Sequence, residues 1–202
     1  MTELLPWVFT TGWASGINAY LVVMILGLTD RFGHLEILPD ALARTDVLLV
    51  AAVLCVVDMA ADKLPYIDST WDSIHTVIRP AIGTALALLI AGDAGSMEQA
   101  MLAAVGGGVA LLSHLVKAGL RLGVNTSPEP ASNMAVSTAE DVSVTGVTLL
   151  ALANPILAAV IALLLLAIGL GLAWWLFDRI RTAFRERRKG SADPVDQQRR
   201  AE

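Results

Sequence analysis

The chain has 202 residues, 55% of them hydrophobic and 16% charged, against about 45–50% and about 25% in a soluble domain. Thirteen of its 33 charged residues fall in the last 25 positions, so the first 177 hold only 20, too few to coat a soluble globule of that size. This composition argues against a soluble enzyme, a nucleic-acid-binding domain and a disordered chain, and it fits a lipid bilayer.

The first element is an uncharged run of 26 residues from Leu4 to Thr29, longer than the roughly 20 that a helix needs to cross the hydrocarbon core. Met1-Thr2-Glu3 lacks the basic start of a signal peptide, so the run is read as retained. Trp7 and Trp13 suit a headgroup boundary. Gly12, Ser15 and Gly16 are small enough to let another helix approach; Gly16 and Asn18 also fit an unwound, ligand-facing backbone. Two shorter runs follow, 11 residues from Val47 to Val57 and 13 from Pro80 to Gly92. Between them a charged hairpin is expected from Asp58 to Arg79. The single cysteine, Cys55, lies in the first of these runs and reads as a buried, inert thiol.

A fourth run covers Gln99 to Ser113, with Gly106-Gly107-Gly108 near its middle. Glycine costs about 1 kcal/mol relative to alanine in a helix, so the triplet needs either close packing or a hinge to explain it. After a polar segment from Gly123 to Asp141, 36 uncharged residues run from Val142 to Phe177. That is about 54 Å of helix, and Asn154-Pro155 divides it by removing a donor and restricting the preceding residue; a reversal and a kink both fit. Domain boundaries follow: a transmembrane domain over 1–177, a basic juxtamembrane helix over 178–189, and a disordered tail over 190–202. Arg179, Arg181, Arg185, Arg187, Arg188 and Lys189 are placed to meet anionic lipid headgroups, each contributing about 1 kcal/mol near the surface. Nothing in the tail supports nucleic-acid binding. Six passes with both termini cytoplasmic put Lys63, Arg79, Lys117, Arg121 and the eight tail bases inside and only Arg31 and Arg44 outside, which satisfies the positive-inside rule.

The charged residues fall at helical spacings. Asp58 and Asp62 are four apart; Asp68, Asp72, His75 and Arg79 step by four, three and four; His114, Lys117 and Arg121 step by three and four. Each set makes one polar stripe on a helix. One reading has the stripes at the cytoplasmic headgroup level, where bases and acids staple short helices together. The other has them converge on a polar vestibule for a cation, a proton or an anionic group, because ionisable groups near lipid face a bundle interior or an aqueous cavity. Glu140 and Asp141 fit the start of the fifth helix, where its dipole favours acids. The carboxylates are too scattered to outline a metal shell, no catalytic or cofactor motif is present, and neither an enzyme nor a cofactor is expected.

Several of these pieces together resemble the bacterial integral membrane family catalogued as domain of unknown function 4126. They are Ala14-Ser-Gly-Ile-Asn18-Ala-Tyr20; Asp62-Lys63-Leu-Pro65 with Asp68, Trp71-Asp72, His75-Thr76 and Arg79-Pro80; and Ser127-Pro128-Glu129-Pro130 with Ser132-Asn133 and Glu140-Asp141. The resemblance covers about Thr11 to Leu165 and departs from the expected pattern at Asp58, where a glutamate is usual. It implies a bacterial plasma-membrane protein and no particular substrate.

The expected architecture is all-α: a polytopic helical membrane protein with about six transmembrane segments, some short or broken, and room for a 3+3 pseudo-repeat. The expected function is transport or conduction of a small solute, ion or lipid headgroup. The candidate site comprises Asn18, Asp58, Asp62, Lys63, Asp68, Asp72, His75, Arg79, Glu129, Asn133, Glu140 and Asp141. The alternative is a membrane scaffold whose charges are structural and whose tail binds lipid or a partner. Small-residue faces leave room for a homo-oligomer.

Overall fold

The computed structural model describes residues 2–33, 37–64, 67–124 and 130–192. Its elements are six helices: α1 (Leu4–Gly33), α2 (Thr45–Ala61), α3 (Ile67–Ala91), α4 (Ser96–Val124), α5 (Pro130–Ala153) and α6 (Pro155–Ala192). Five of them, all but α2, are long and apolar enough to cross a membrane. The distribution of polarity is that of a protein dissolved in lipid. Val53, Val77, Leu163 and Ile168 are more than half exposed, while Arg79, His114 and Asp58 are fully buried. An apolar exterior around a charged interior is stable only where the solvent is hydrocarbon.

Helices α3 and α5 start well before the uncharged runs that announced them. α3 begins at Ile67 rather than Pro80 and carries Pro80 inside it. α5 begins at Pro130 rather than Val142, with proline at its first position, where a missing N–H costs nothing. Residues 58–61 and 67–79 of the expected hairpin, and most of the expected polar segment from Gly123 to Asp141, are therefore helix. The physical reason is that their charged side chains face one another inside the bundle, so they need no aqueous loop. Glu140 and Asp141 consequently lie mid-helix and do not cap the start of α5.

α1 is the hub of the bundle and packs against every other helix. It is broken at Asn18, whose backbone is extended (φ −147°, ψ 90°). Neighbouring helices fix what the break does. α4 runs alongside the first half of α1 in the same direction: Gly12 lies on Gly106, Gly16 on Ala110 and Ser113, and the Ile17 carbonyl meets Lys117. α3 runs opposite to α4, with Thr76 at His114 and Gly83 and Ala87 at Gly106. α2 runs opposite to α3, because Asp58 meets Trp71 and Arg79 whereas Val47 and Leu54 share a groove with Ile82. The second half of α1 runs opposite to α2: Arg31 Nη1 donates to Thr45 Oγ1 at 3.0 Å, Gly27 packs on Leu48, and Leu21 shares a cavity with Met59. That half is thus directed against the first half, and α1 turns back on itself at Asn18.

The residues from Leu4 to Asn18 reach about 22 Å into the bundle at 1.5 Å per residue, so the turn lies deep inside it. The second turn, at Asn154, is also a reversal, since Ser143 of α5 and Leu166 of α6 line one groove on either side of it. At both turns the asparagine Oδ1 accepts the backbone N–H three residues on, Leu21 or Leu157, at 3.0 Å, which caps the helix that follows. The glycine triplet resolves as packing: Gly106 and Gly107 lie hard against α3, and nothing stands within 4 Å of a Cβ built on Gly108.

Candidate functional site

Breaking a helix releases backbone groups that must find new partners in a medium without water. At the end of α1's first half the Gly16 carbonyl accepts from Arg79 Nη1 at 3.3 Å and the Ile17 carbonyl from Lys117 Nζ at 2.9 Å. Ser113 Oγ donates to the Trp13 carbonyl at 2.8 Å. Two buried cations therefore sit at a helix C-terminus, where its dipole favours positive charge. Asn18 itself spans the break: Oδ1 caps the second half, and Nδ2 donates to Asp141 Oδ1 at 3.1 Å.

Around Arg79 lies the first cluster. Arg79 Nη2 donates to both oxygens of Asp58, at 3.0 and 3.3 Å, and Trp71 Nε1 donates to Asp58 Oδ1 at 2.6 Å. Two histidines complete it, and their partners assign their tautomers. His114 Nδ1 accepts from Arg79 Nη1 at 3.2 Å, so its proton is on Nε2, which donates to the Asp72 carbonyl at 3.0 Å. His75 Nδ1 donates to the Trp71 carbonyl at 2.8 Å, which leaves Nε2 to accept from the Tyr20 hydroxyl at 3.0 Å. The Asp72 carboxylate stands further off, 3.6 Å from Arg79 Nη1.

The second cluster is centred on Asp62, just past the end of α2. Its Oδ2 pairs with Lys117 Nζ and with Arg121 Nη2 at 3.1 Å. Its backbone carbonyl accepts from Arg121 Nη1 at 2.7 Å and from Asn133 Nδ2 at 3.1 Å. Glu140 closes the cluster by accepting from Arg121 Nη2 at 2.7 Å.

Asp141 is the acid of this centre with no cation within 4 Å among the described residues, whereas Asp58, Asp62, Asp72 and Glu140 each have one. It is 92% buried, its Oδ1 is held by Asn18, and its Oδ2 has no hydrogen-bond partner among the described residues. It lines a cavity of about 450 Å³ between α1, α2 and α5, shared with Leu21, Met59, Lys63, Thr138 and Thr145; Lys63 donates to the Met59 carbonyl at 3.1 Å. A separate apolar groove of about 350 Å³ reaches Lys117 and Glu140 from the side of α6.

Of the candidate residues, Asn18, Asp58, Asp62, Asp72, His75, Arg79, Asn133, Glu140 and Asp141 are brought into one buried polar centre, with Lys63 at its edge. Asp68 is on α3, but its side chain is not among those described, and Glu129 lies outside the described residues. Tyr20, Ser113, His114, Lys117 and Arg121 belong to the centre as well. The α4 residues were visible as a stripe at helical spacing, which fitted both the headgroup level and a polar vestibule and so did not single them out as site residues. Tyr20 gave no separate signal. No group of three metal-ligating side chains occurs among the described residues.

A family model described as Domain of unknown function (DUF4126) matches residues 5–176. No curated protein and no solved structure matches the chain. The match spans most of the sequence, and the chain belongs to that family.

Proposed function

We propose that this member of the DUF4126 family is a small transporter or channel that moves a polar solute or ion through the cavity beside the turn of α1. The observation that carries the reading is the break at Asn18, halfway along α1, with cations on its freed carbonyls and a carboxylate on its far side. Irregular backbone deep in a membrane protein is sustained where it lines a cavity, and broken helices there are where solute sites are built. The adjoining cavity falls within the ordinary size range of small-molecule sites, about 300–1,000 Å³. Its wall presents one carboxyl, one ammonium and two threonine hydroxyls on otherwise apolar surface, a lining suited to a small polar solute. The host membrane on this reading is the bacterial plasma membrane.

A second reading is favoured by the ion pairs. Asp58 with Arg79, and Asp62 and Glu140 with Lys117 and Arg121, offset one another's charge without a ligand, as a rigid scaffold would require. Fluorescence-monitored flux in proteoliposomes separates the two. Transport requires flux of at least one probe among protons, Na+, K+ and small amino acids above protein-free vesicles, reduced in Asp72→Asn at unchanged melting temperature. Vesicles indistinguishable from protein-free ones across that panel support the scaffold.

A further inference from the structure

Five acids converge in the centre, Asp58, Asp62, Asp72, Glu140 and Asp141, against the buried bases Arg79, Lys117 and Arg121 and the half-buried Lys63 at its edge. With both histidines neutral in the tautomers assigned above, the centre carries one more negative group than positive ones. Uncompensated charge is strongly disfavoured in a low-dielectric interior, where a group neutralises instead. Asp58, Asp62 and Glu140 have close cationic partners; Asp72 Oδ1 makes no hydrogen bond among the described residues but stands 3.6 Å from Arg79 Nη1; Asp141 has an amide on one oxygen, no partner on the other and no cation within 4 Å among the described residues.

The face of α5 that carries Asp141 adds an independent observation. Asn133, Ser137 and Asp141 recur every four residues, all more than nine-tenths buried, and Asn133 Oδ1, Ser137 Oγ and Asp141 Oδ2 each lack a hydrogen-bond partner among the described residues. Three oxygen acceptors thus form a ladder from the Asp62 end of α5 inward to the turn of α1. Successive rungs are about 6 Å apart along the axis, whereas cation–oxygen bonds are about 2.0–2.6 Å, so adjacent rungs suit a chain of water molecules better than a single metal shell. The charged and titratable groups facing Asp141 are Cys55 of α2, Asp62 and Lys63 just beyond it, and Lys117 of α4, while the adjacent Glu140 is turned to Arg121. α6 presents no charged residue before Asp178.

We infer that Asp141 is a proton-binding site, reached along the Asn133–Ser137 face of α5, and that its protonation is coupled to the break in α1. The step is a simple association: a proton from water adds to Oδ2 of the carboxylate and gives the neutral acid. The bond from Asn18 Nδ2 then loses its charge assistance and weakens, and the same asparagine caps the second half of α1. Proton occupancy and the geometry of the turn are linked through that one side chain.

The inference rests on the transport reading for its purpose, and its test does not depend on flux. Infrared difference spectra of the protein in lipid, taken across a pH jump, should contain the carbonyl stretch of a protonated carboxylic acid. Asp141→Asn should lose that band, Asp72→Asn should keep it, and Asp141→Glu should retain it at a shifted frequency, which decides the matter even if the asparagine variant does not fold. Absence of the band in the wild type, its survival in Asp141→Asn, or its loss in Asp72→Asn overturns the assignment. A band without flux retires transport and leaves the proton site standing; flux without a band does the reverse.

Discussion

Arg79 ties three elements of the buried centre together: one guanidinium neutralises Asp58, fixes the tautomer of His114 and caps the Gly16 carbonyl. Removing one partner of a buried pair leaves the other charged and dry, at a cost of about 3–5 kcal/mol. Arg79→Gln is expected to lower the melting temperature in detergent far more than Lys63→Gln, and Asp58→Asn combined with Arg79→Gln to recover part of the loss. Equal melting temperatures for the two single variants would contradict this. At this scale the sequence was informative about identity and poor about partners. Spacing placed Asp72, His75 and Arg79 on one face, but the bond from Tyr20 to His75 joins residues 55 apart in the chain, which no local pattern encodes.

Elements were legible where apolar runs were uninterrupted and misread where charge was turned inward. α3 and α5 look short in sequence because charge was taken as a mark of water, whereas here it marks the inside of the bundle. The small residues were read more reliably. A Cβ on Gly16 would strike Ala110 and Ser113, whereas one on Gly108 would meet nothing within 4 Å. Gly16→Val is therefore expected to destabilise the bundle by at least the 1–3 kcal/mol typical of overpacking, and Gly108→Ala to be neutral or slightly stabilising. Thermal unfolding of both variants checks this, and a neutral Gly16→Val would remove the close α1–α4 contact. The reversal at Asn18 was foreseen only as an unwound backbone. A continuous helix would separate labels at Leu5 and Arg31 by about 39 Å; spin labels there are expected to report a distance well below that, and a distribution centred near it would mean that α1 is straight.

For the whole molecule, the turn in α1 decides which ends lie together. The start of α1 shares one end of the bundle with the α3–α4 and α5–α6 turns, while Asp62, Lys63 and the basic extension of α6 lie at the other. If the basic end is cytoplasmic, as the positive-inside rule favours, the N-terminus faces outward, in contrast to the sequence expectation of two cytoplasmic termini. Impermeant maleimide on right-side-out vesicles, with Cys55→Ala to remove the only native thiol, is expected to label Thr2→Cys and spare Ala201→Cys. Labelling of both or of neither would contradict a re-entrant α1.

The transport claim is tested most directly by the electrical response of reconstituted protein on a supported membrane to jumps in proton, Na+, K+ and amino-acid concentration. A saturable current above protein-free vesicles is expected for at least one of them in the wild type, with loss in Asp141→Asn reconstituted at the same density. No current for any of them from folded wild-type protein, or an undiminished current in Asp141→Asn, would contradict a transport site at the turn of α1.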